Sequence, residues 1–255
     1  MKNVPLVLMY HGIGNLDPSH DAENLFVSVQ AFKQQLEYLQ RTGYRVLSET
    51  EYLGWLNGHP LTGPSVLLTF DDGYVSVLEN AVPLLRQLNM PGICYVCPDL
   101  LGGRSTWMEE PSWHELMDTD QLSEVVDAGI SLGIHSSDHT AMDSLGFDEL
   151  VEHTSHARAS LEKQMGIRAA TFAYPYGYHS PASRQAVSHA GFECAFAIYR
   201  TAGRWALPRV DINAVDTPRT FRLKLTSIYP VARRGLSVAP PLRRAVHQFV
   251  GLAKR

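Results

Sequence analysis

Leu67-Leu68-Thr69-Phe70-Asp71-Asp72-Gly73-Tyr74 is a short apolar run that ends in two adjacent carboxylates and a glycine. The apolar part, residues 67–70, reads as a buried strand. A strand that ends in Asp-Asp-Gly sets acids at the edge of a sheet, where α/β proteins carry their active sites. Asp-Gly is also ordinary turn chemistry, so the octapeptide alone leaves both readings open.

The same pattern, an apolar strand that stops at polar residues, recurs on both sides. Residues 4–10 read as a first strand delivering His11-Gly12, and residues 130–134 as a strand that stops at His135. Residues 169–173 form another, ended by Tyr174-Pro175-Tyr176-Gly177, where proline stops the ladder and glycine permits a sharp turn. Between them lie helical patterns. Phe32, Leu36 and Leu39 follow Ser28 at helical spacing, with Gly43 as the stop. Helices are also expected over 48–56 with Ser48 as cap, 76–88 despite Pro83, 119–128 with Thr119 as cap, 147–165 and 180–190. Strands are expected over 44–47, 93–97, 194–198 and 207–212. Repeated strand and helix units imply a mostly parallel sheet, and seven or eight strands fit a barrel better than a small open sheet.

The bulk numbers agree with one large domain. The chain has 255 residues, 45% hydrophobic and 19% charged, with a net charge of −4. That composition excludes a disordered chain, and no apolar run is long enough for a transmembrane helix. The N-terminal apolar stretch is too short for a signal peptide, so a cytoplasmic protein is expected if Met1 is the true start. The charge is uneven: residues 217–255 hold nine Lys or Arg and no acid, which leaves −13 on the rest. Residues 1–216 are therefore expected to be the acidic main domain and residues 217–255 a basic extension, either solvated, folded back on the acidic body, or in contact with a membrane surface or polyanion. No nucleic-acid partner is expected. Three cysteines make no disulfide framework; Cys94 and Cys97 lie on a strand, where their spacing turns them to opposite faces, as small core residues.

His135-Ser136-Ser137-Asp138-His139 carries two imidazoles four residues apart. If the strand end became a helical turn, both would point the same way and, with a carboxylate, could hold Zn²⁺; a surface loop is the alternative. Trp107 and Trp113, in the loop before His135, are suited either to stacking on sugar rings or to closing the barrel mouth.

Taken together, Thr69-Phe70-Asp71-Asp72-Gly73, His135-Ser136-Ser137-Asp138-His139 and Tyr174-Pro175-Tyr176-Gly177 resemble, in order, the first three motifs of the polysaccharide deacetylases, the fourth carbohydrate esterase family. The resemblance runs from about Val4 to Ile212. It implies a distorted, incomplete (β/α)7-type barrel with a parallel strand core, and removal of N-acetyl groups from the amino sugars of a glycan or glycolipid. Carried over by residue, it makes Asp72, His135 and His139 metal ligands, for Zn²⁺ first and Co²⁺ or Ni²⁺ otherwise. Asp71 becomes the general base, and the Tyr176 backbone N–H an oxyanion donor. Two departures stand out. The late Leu-x-x-His acid of most members has no counterpart, since only His247 follows Ile212. Instead Tyr10-His11-Gly12-Ile13 is similar to the N-terminal segment of the biofilm poly-N-acetylglucosamine deacetylases, which makes His11 the general acid. Ala173 stands where many members carry a supporting arginine, and Arg209 in Leu207-Pro208-Arg209-Val210-Asp211 is the substitute, either orienting Asp71 or paired with Asp211. The alternatives within this reading are an O-acetyl esterase or other small-amide hydrolase with the same site, and a non-catalytic glycan-binding barrel.

Overall fold

Six parallel strands and a kinked seventh segment form the core of the computed structural model, which describes residues 4–108, 114–143, 145–198, 201–226 and 229. Trp113, His247 and the basic tail beyond Tyr229 lie outside the described residues. The strands are β1 (Leu6–Tyr10), β2 (Arg45–Val46), β3 (Ser65–Phe70), β4 (Gly92–Val96), β5 (Ile130–Ile134), β6 (Thr171–Ala173), β7 (Cys194–Ala197), β8 (Leu207–Pro208) and β9 (Val210–Asp211). Their order is β8-β7-β6-β5-β4-β3-β1-β9, with β2 paired to the first half of β3.

The two ends of that order are one stretch of chain. Leu207 and Pro208 pair with β7, whereas Val210 and Asp211 pair with β1. Arg209 sits at the kink, and its N–H still donates to Ala197 O at 3.1 Å. A single crooked segment thus bridges the open edges and nearly closes the sheet, so the fold is a distorted, incomplete (β/α) barrel. The expected strand over 207–212 is split at this kink, because no straight strand could pair with both edges.

Strand alternation sorts the side chains. Val7, Leu67, Ile93, Tyr95, Ala173, Cys194 and Phe196 form the inner cluster, closed below by Tyr52 and Leu53. Leu8, Tyr10, Val66, Leu68, Phe70, Val96, Leu132, Ile134 and Phe172 face the surrounding helices. With a side-chain period of two, the inward register 67, 69 delivers Asp71 to the barrel's upper rim. By the same register 7, 9 delivers His11, and 133 delivers His135; a Cβ on Gly133 would lie 2.3 Å from the Tyr95 ring, which places that position inside. Cys94 joins the outer cluster and the Cys97 thiol donates to His135 O at 3.1 Å.

The helices are α1 (Val29–Arg41), α2 (Glu49–Leu56), α3 (Val82–Leu88), α4 (Thr119–Asp127), α5 (Phe147–Met165), α6 (Pro181–His189) and α7 (Pro218–Lys224). Ser28 and Ser48 cap α1 and α2, the latter with Glu51 in a capping box. Two expectations are corrected. Asp118, not Thr119, caps α4, because its carboxylate takes the Gln121 N–H while Gln121 returns the bond. The helix expected over 76–88 opens with a wider π turn, Val77–Ala81; Pro83 has no N–H to give to the carbonyl four residues back. In the expected basic extension, α7 packs on α1: Phe221 is buried against Tyr38, and Lys224 Nζ bonds Asp216 Oδ2 at 2.6 Å and Asp211 O at 2.8 Å. No helix among the described residues is long and apolar enough to cross a membrane.

Candidate active site

The acids and imidazoles singled out by sequence, Asp71, Asp72, His11, His135 and His139, follow the ends of strands at the barrel's upper rim. Asp71 N–H continues the β1–β3 ladder by donating to Tyr10 O at 2.9 Å, which sets His11 level with the acids. His135 N–H likewise donates to Val96 O at 2.8 Å, and Tyr174 N–H to Phe196 O at 3.0 Å. Beyond these points the backbone turns sharply. Asp72, Ser136, His139 and Tyr176 adopt φ of 75°, 63°, 66° and 57°. The other non-glycine residues with positive φ among those described, Asn24 and Asn89, are of the type that tolerates it. Such conformations cost about 1–3 kcal/mol each and persist where surrounding structure enforces them. The His135–His139 segment is thus not a helical turn, one of the two readings open by sequence; left-handed residues at Ser136 and His139 fold the imidazoles together instead. Gly73 and Gly177 are required nearby, since a Cβ would lie 3.0 Å from Val96 and 2.6 Å from Ile198 at positive φ.

The two adjacent carboxylates differ in their closest partners, although His135 Nε2 also lies 3.9 Å from Asp71 Oδ2. Asp72 Oδ1 lies 3.4 Å from His135 Nε2 and 3.4 Å from His139 Nε2. It is buried and receives no well-formed hydrogen bond. Asp71 instead meets Arg209, Nη1 to Oδ1 at 2.6 Å and Nη2 to Oδ2 at 2.7 Å. Arg209 Nη1 also reaches Thr69 Oγ1 at 3.4 Å, and its guanidinium lies 5.7 Å from the Tyr95 ring centroid. Asp211 is not its partner: Asp211 Oδ2 accepts from Asn213 Nδ2 at 3.1 Å.

The electrostatics follow from these contacts. Burial pushes the Asp71 carboxyl up, but the charges of Arg209, His135 and His11 with the Arg209 hydrogen bonds outweigh it and hold it below the usual range. Burial also opposes ionisation of Asp72, yet the close approach of the His135 and His139 imidazoles and the charges of His139 and His11 hold it well below. His135 is pushed down by burial and more strongly up by Asp71 and Asp72 together. For His139, burial and the charges of His135 and His11 prevail over Asp72, and the net shift is down. His11 thus lies close enough to act on both acids.

Asp72, His135 and His139 offer ligand atoms that all lie within 4.8 Å of one another. The group suits a metal ion for two further reasons. His135 Nδ1–H donates to Ala173 O at 2.7 Å, which directs the Nε2 lone pair at Asp72, the outer-shell arrangement usual for metal-binding imidazoles. The unsatisfied Asp72 Oδ1 is the atom a cation would occupy, and two nitrogens with one carboxylate leave room for water.

Sequence reasoning missed three neighbours. Ala173, noted for lacking a guanidinium, contributes its carbonyl to His135. Tyr74, whose phenol burial and the charge of Asp72 together push well up, donates its hydroxyl to Met108 Sδ at 3.4 Å. Trp107 stacks on His139 with ring centroids 4.0 Å apart and planes at 11°, while Tyr176 meets the same imidazole edge-on at 4.7 Å. None of these contacts leaves a local pattern; only the Asp-Gly-Tyr adjacency could have suggested Tyr74.

A nearly closed parallel barrel thus carries at its rim an Asp-His-His group able to hold a metal ion, with a second carboxylate beside it. Residues 58–195 match the polysaccharide deacetylase family, and the chain belongs to that family of hydrolases. It is 22% identical over 238 residues to the poly-beta-1,6-N-acetyl-D-glucosamine N-deacetylase of Staphylococcus epidermidis, which spans 83% of this chain and 80% of that protein. Among solved structures, IcaB from Ammonifex degensii has a TM-score of 0.73 at 25% identity, over 90% of this chain and 96% of the other. The Streptococcus pyogenes deacetylase PplD in complex with acetate shares the fold, with a TM-score of 0.77 at 23% identity over 89% of this chain and all of that one.

Proposed function

We propose that this chain removes N-acetyl groups from the amino sugars of a glycan or glycolipid, with Asp72, His135 and His139 holding a divalent metal, Zn²⁺ first and Co²⁺ or Ni²⁺ otherwise. The observation that carries this reading is the division of labour between adjacent acids: Asp72 faces two imidazoles, and Asp71 faces a guanidinium. A metal held there would supply Lewis acidity, lowering the pKa of a water to roughly 7.

The remaining chemistry belongs to the chain. Asp71 stays ionised beside Arg209 and, with a second lone pair on each oxygen, accepts the proton that water gives up as it attacks the amide carbonyl. The Tyr176 N–H, on its left-handed turn, donates to the oxyanion that develops; a donor of this kind is typically worth ~2.7–4 kcal/mol. Departure of the amine needs a proton, and His11, level with Asp71 on the neighbouring strand, gives it. Arg209 keeps Asp71 in place rather than touching substrate.

The Staphylococcus epidermidis relative is named for a β-1,6-linked N-acetylglucosamine polymer, and an N-acetylglucosamine oligomer is accordingly the first substrate to try. The test is acetate release from acetylated sugars with Zn²⁺, Co²⁺ and Ni²⁺ supplied separately. Release that chelation abolishes supports the reading, and glycan affinity with no release from any acetylated sugar overturns it.

A further inference from the structure

The two histidines of the Asp-His-His group are held in unlike ways. His135 is oriented by a hydrogen bond, its Nδ1–H donating to Ala173 O at 2.7 Å. His139 has no such bond: its Nδ1 is buried and without a hydrogen-bond partner. Its backbone is left-handed, with φ of 66°, and its Nε2 lies 3.4 Å from Asp72 Oδ1, a contact at one ring atom that leaves the tilt of the ring plane unset. Two aromatic side chains touch it instead. The Trp107 indole lies parallel to the imidazole at 4.0 Å and 11°, and Tyr176 closes the edge at 4.7 Å and 80°.

Tyr176 is 43% exposed and meets only the edge of the imidazole, whereas Trp107 packs against the hydrophobic core and covers its face. Parallel contact over a ring face restricts tilt about both in-plane axes, and it does so for a neutral imidazole whose Nδ1 carries no directing acceptor. We infer that Trp107 is a positioning residue for metal binding: its indole, stacked on His139, fixes the plane of that ligand in place of the missing hydrogen bond.

The inference rests on the metal-site reading of Asp72, His135 and His139, and the experiment separates the two. Zn²⁺ affinity of the full chain is measured by competition with a chromophoric chelator, and Co²⁺-loaded protein is examined for its visible absorption, which reports ligand geometry. Trp107→Ala and Trp107→Leu are expected to bind Zn²⁺ about 10–100-fold more weakly, the range usual for loss of an outer-shell partner, with an altered Co²⁺ spectrum. Trp107→Phe, which keeps an aromatic face, is expected to recover both. Thermal unfolding of the metal-free variants identifies any that fail to fold, and the comparison is made between those that do. Wild-type affinity and spectrum in folded Trp107→Leu would overturn the role of Trp107 while leaving the metal site intact. Failure of the wild-type chain to bind either metal would overturn the metal-site reading itself.

Discussion

Arg209 and Asp71 meet fork to fork inside the barrel, both guanidinium Nη atoms on both carboxylate oxygens at 2.6 and 2.7 Å. Arg209 stands at the kink where the last segment passes from β7 to β1, so the pair joins the barrel's seam to its reacting rim. Closure of the fold and placement of the acid are one interaction.

Arg209→Met leaves an unpaired buried charge, and such a loss destabilises by about 3–5 kcal/mol. Denaturant unfolding of the metal-free protein checks this. Arg209→Lys is expected to recover little, because an ammonium cannot make both bonds at once. Adding Asp71→Asn to Arg209→Met is expected to restore part of the loss, since the orphaned carboxylate is then neutral. Equal stability of wild type and Arg209→Met would refute the pair's structural weight.

His11 serves only the leaving group in this account. His11→Ala is expected to lower turnover of N-acetyl substrates by about 10²–10⁴-fold, the usual worth of a general acid. An activated acetyl ester, whose leaving group departs without a proton, is expected to lose far less. Steady-state kinetics on an amide and ester pair decide this, with metal content measured alongside. Equal losses on both would move the acid elsewhere.

Much of this site was legible because strand ends are local. Residues 67–70 and 130–134 are apolar runs that stop abruptly at acids or imidazoles, and the period of two carries Asp71 and His135 inward whatever the rest of the chain does. The unread parts are those decided by distant neighbours. The kink at Arg209 exists because two edges remain open on opposite sides, which no property of residues 207–212 announces. The left-handed backbone at Asp72, Ser136, His139 and Tyr176 contradicts local preference and is enforced by packing. Trp107 sits 32 positions before His139, and stacking has no spacing rule.

Glu49 predicts a pH dependence at the far end of the barrel. Burial raises its pKa above the ordinary value, the charge of Glu193 adds to this, and hydrogen bonds from Thr171 and Ser131 oppose it only in part. A carboxyl raised in the folded state holds its proton longer than in the unfolded chain. Stability is therefore lost as pH rises through the unfolded value towards the folded one. Glu49→Gln keeps an acceptor for the Thr171 hydroxyl, now at 2.7 Å, and carries no charge. Its melting temperature relative to wild type is expected to climb as pH rises above the ordinary carboxylate range. A difference that does not change with pH would contradict this sign.

The adjacency of Asp71 and Asp72 is the centre of the account, and one paired measurement tests it: metal content per chain and acetate release for wild type, Asp71→Asn and Asp72→Ala. Asp72→Ala is expected to lose metal and activity together. Asp71→Asn is expected to keep its metal and lose about 10²–10⁴-fold in turnover. Full activity in Asp71→Asn, or full metal content in Asp72→Ala, would contradict the separate roles assigned to the two acids.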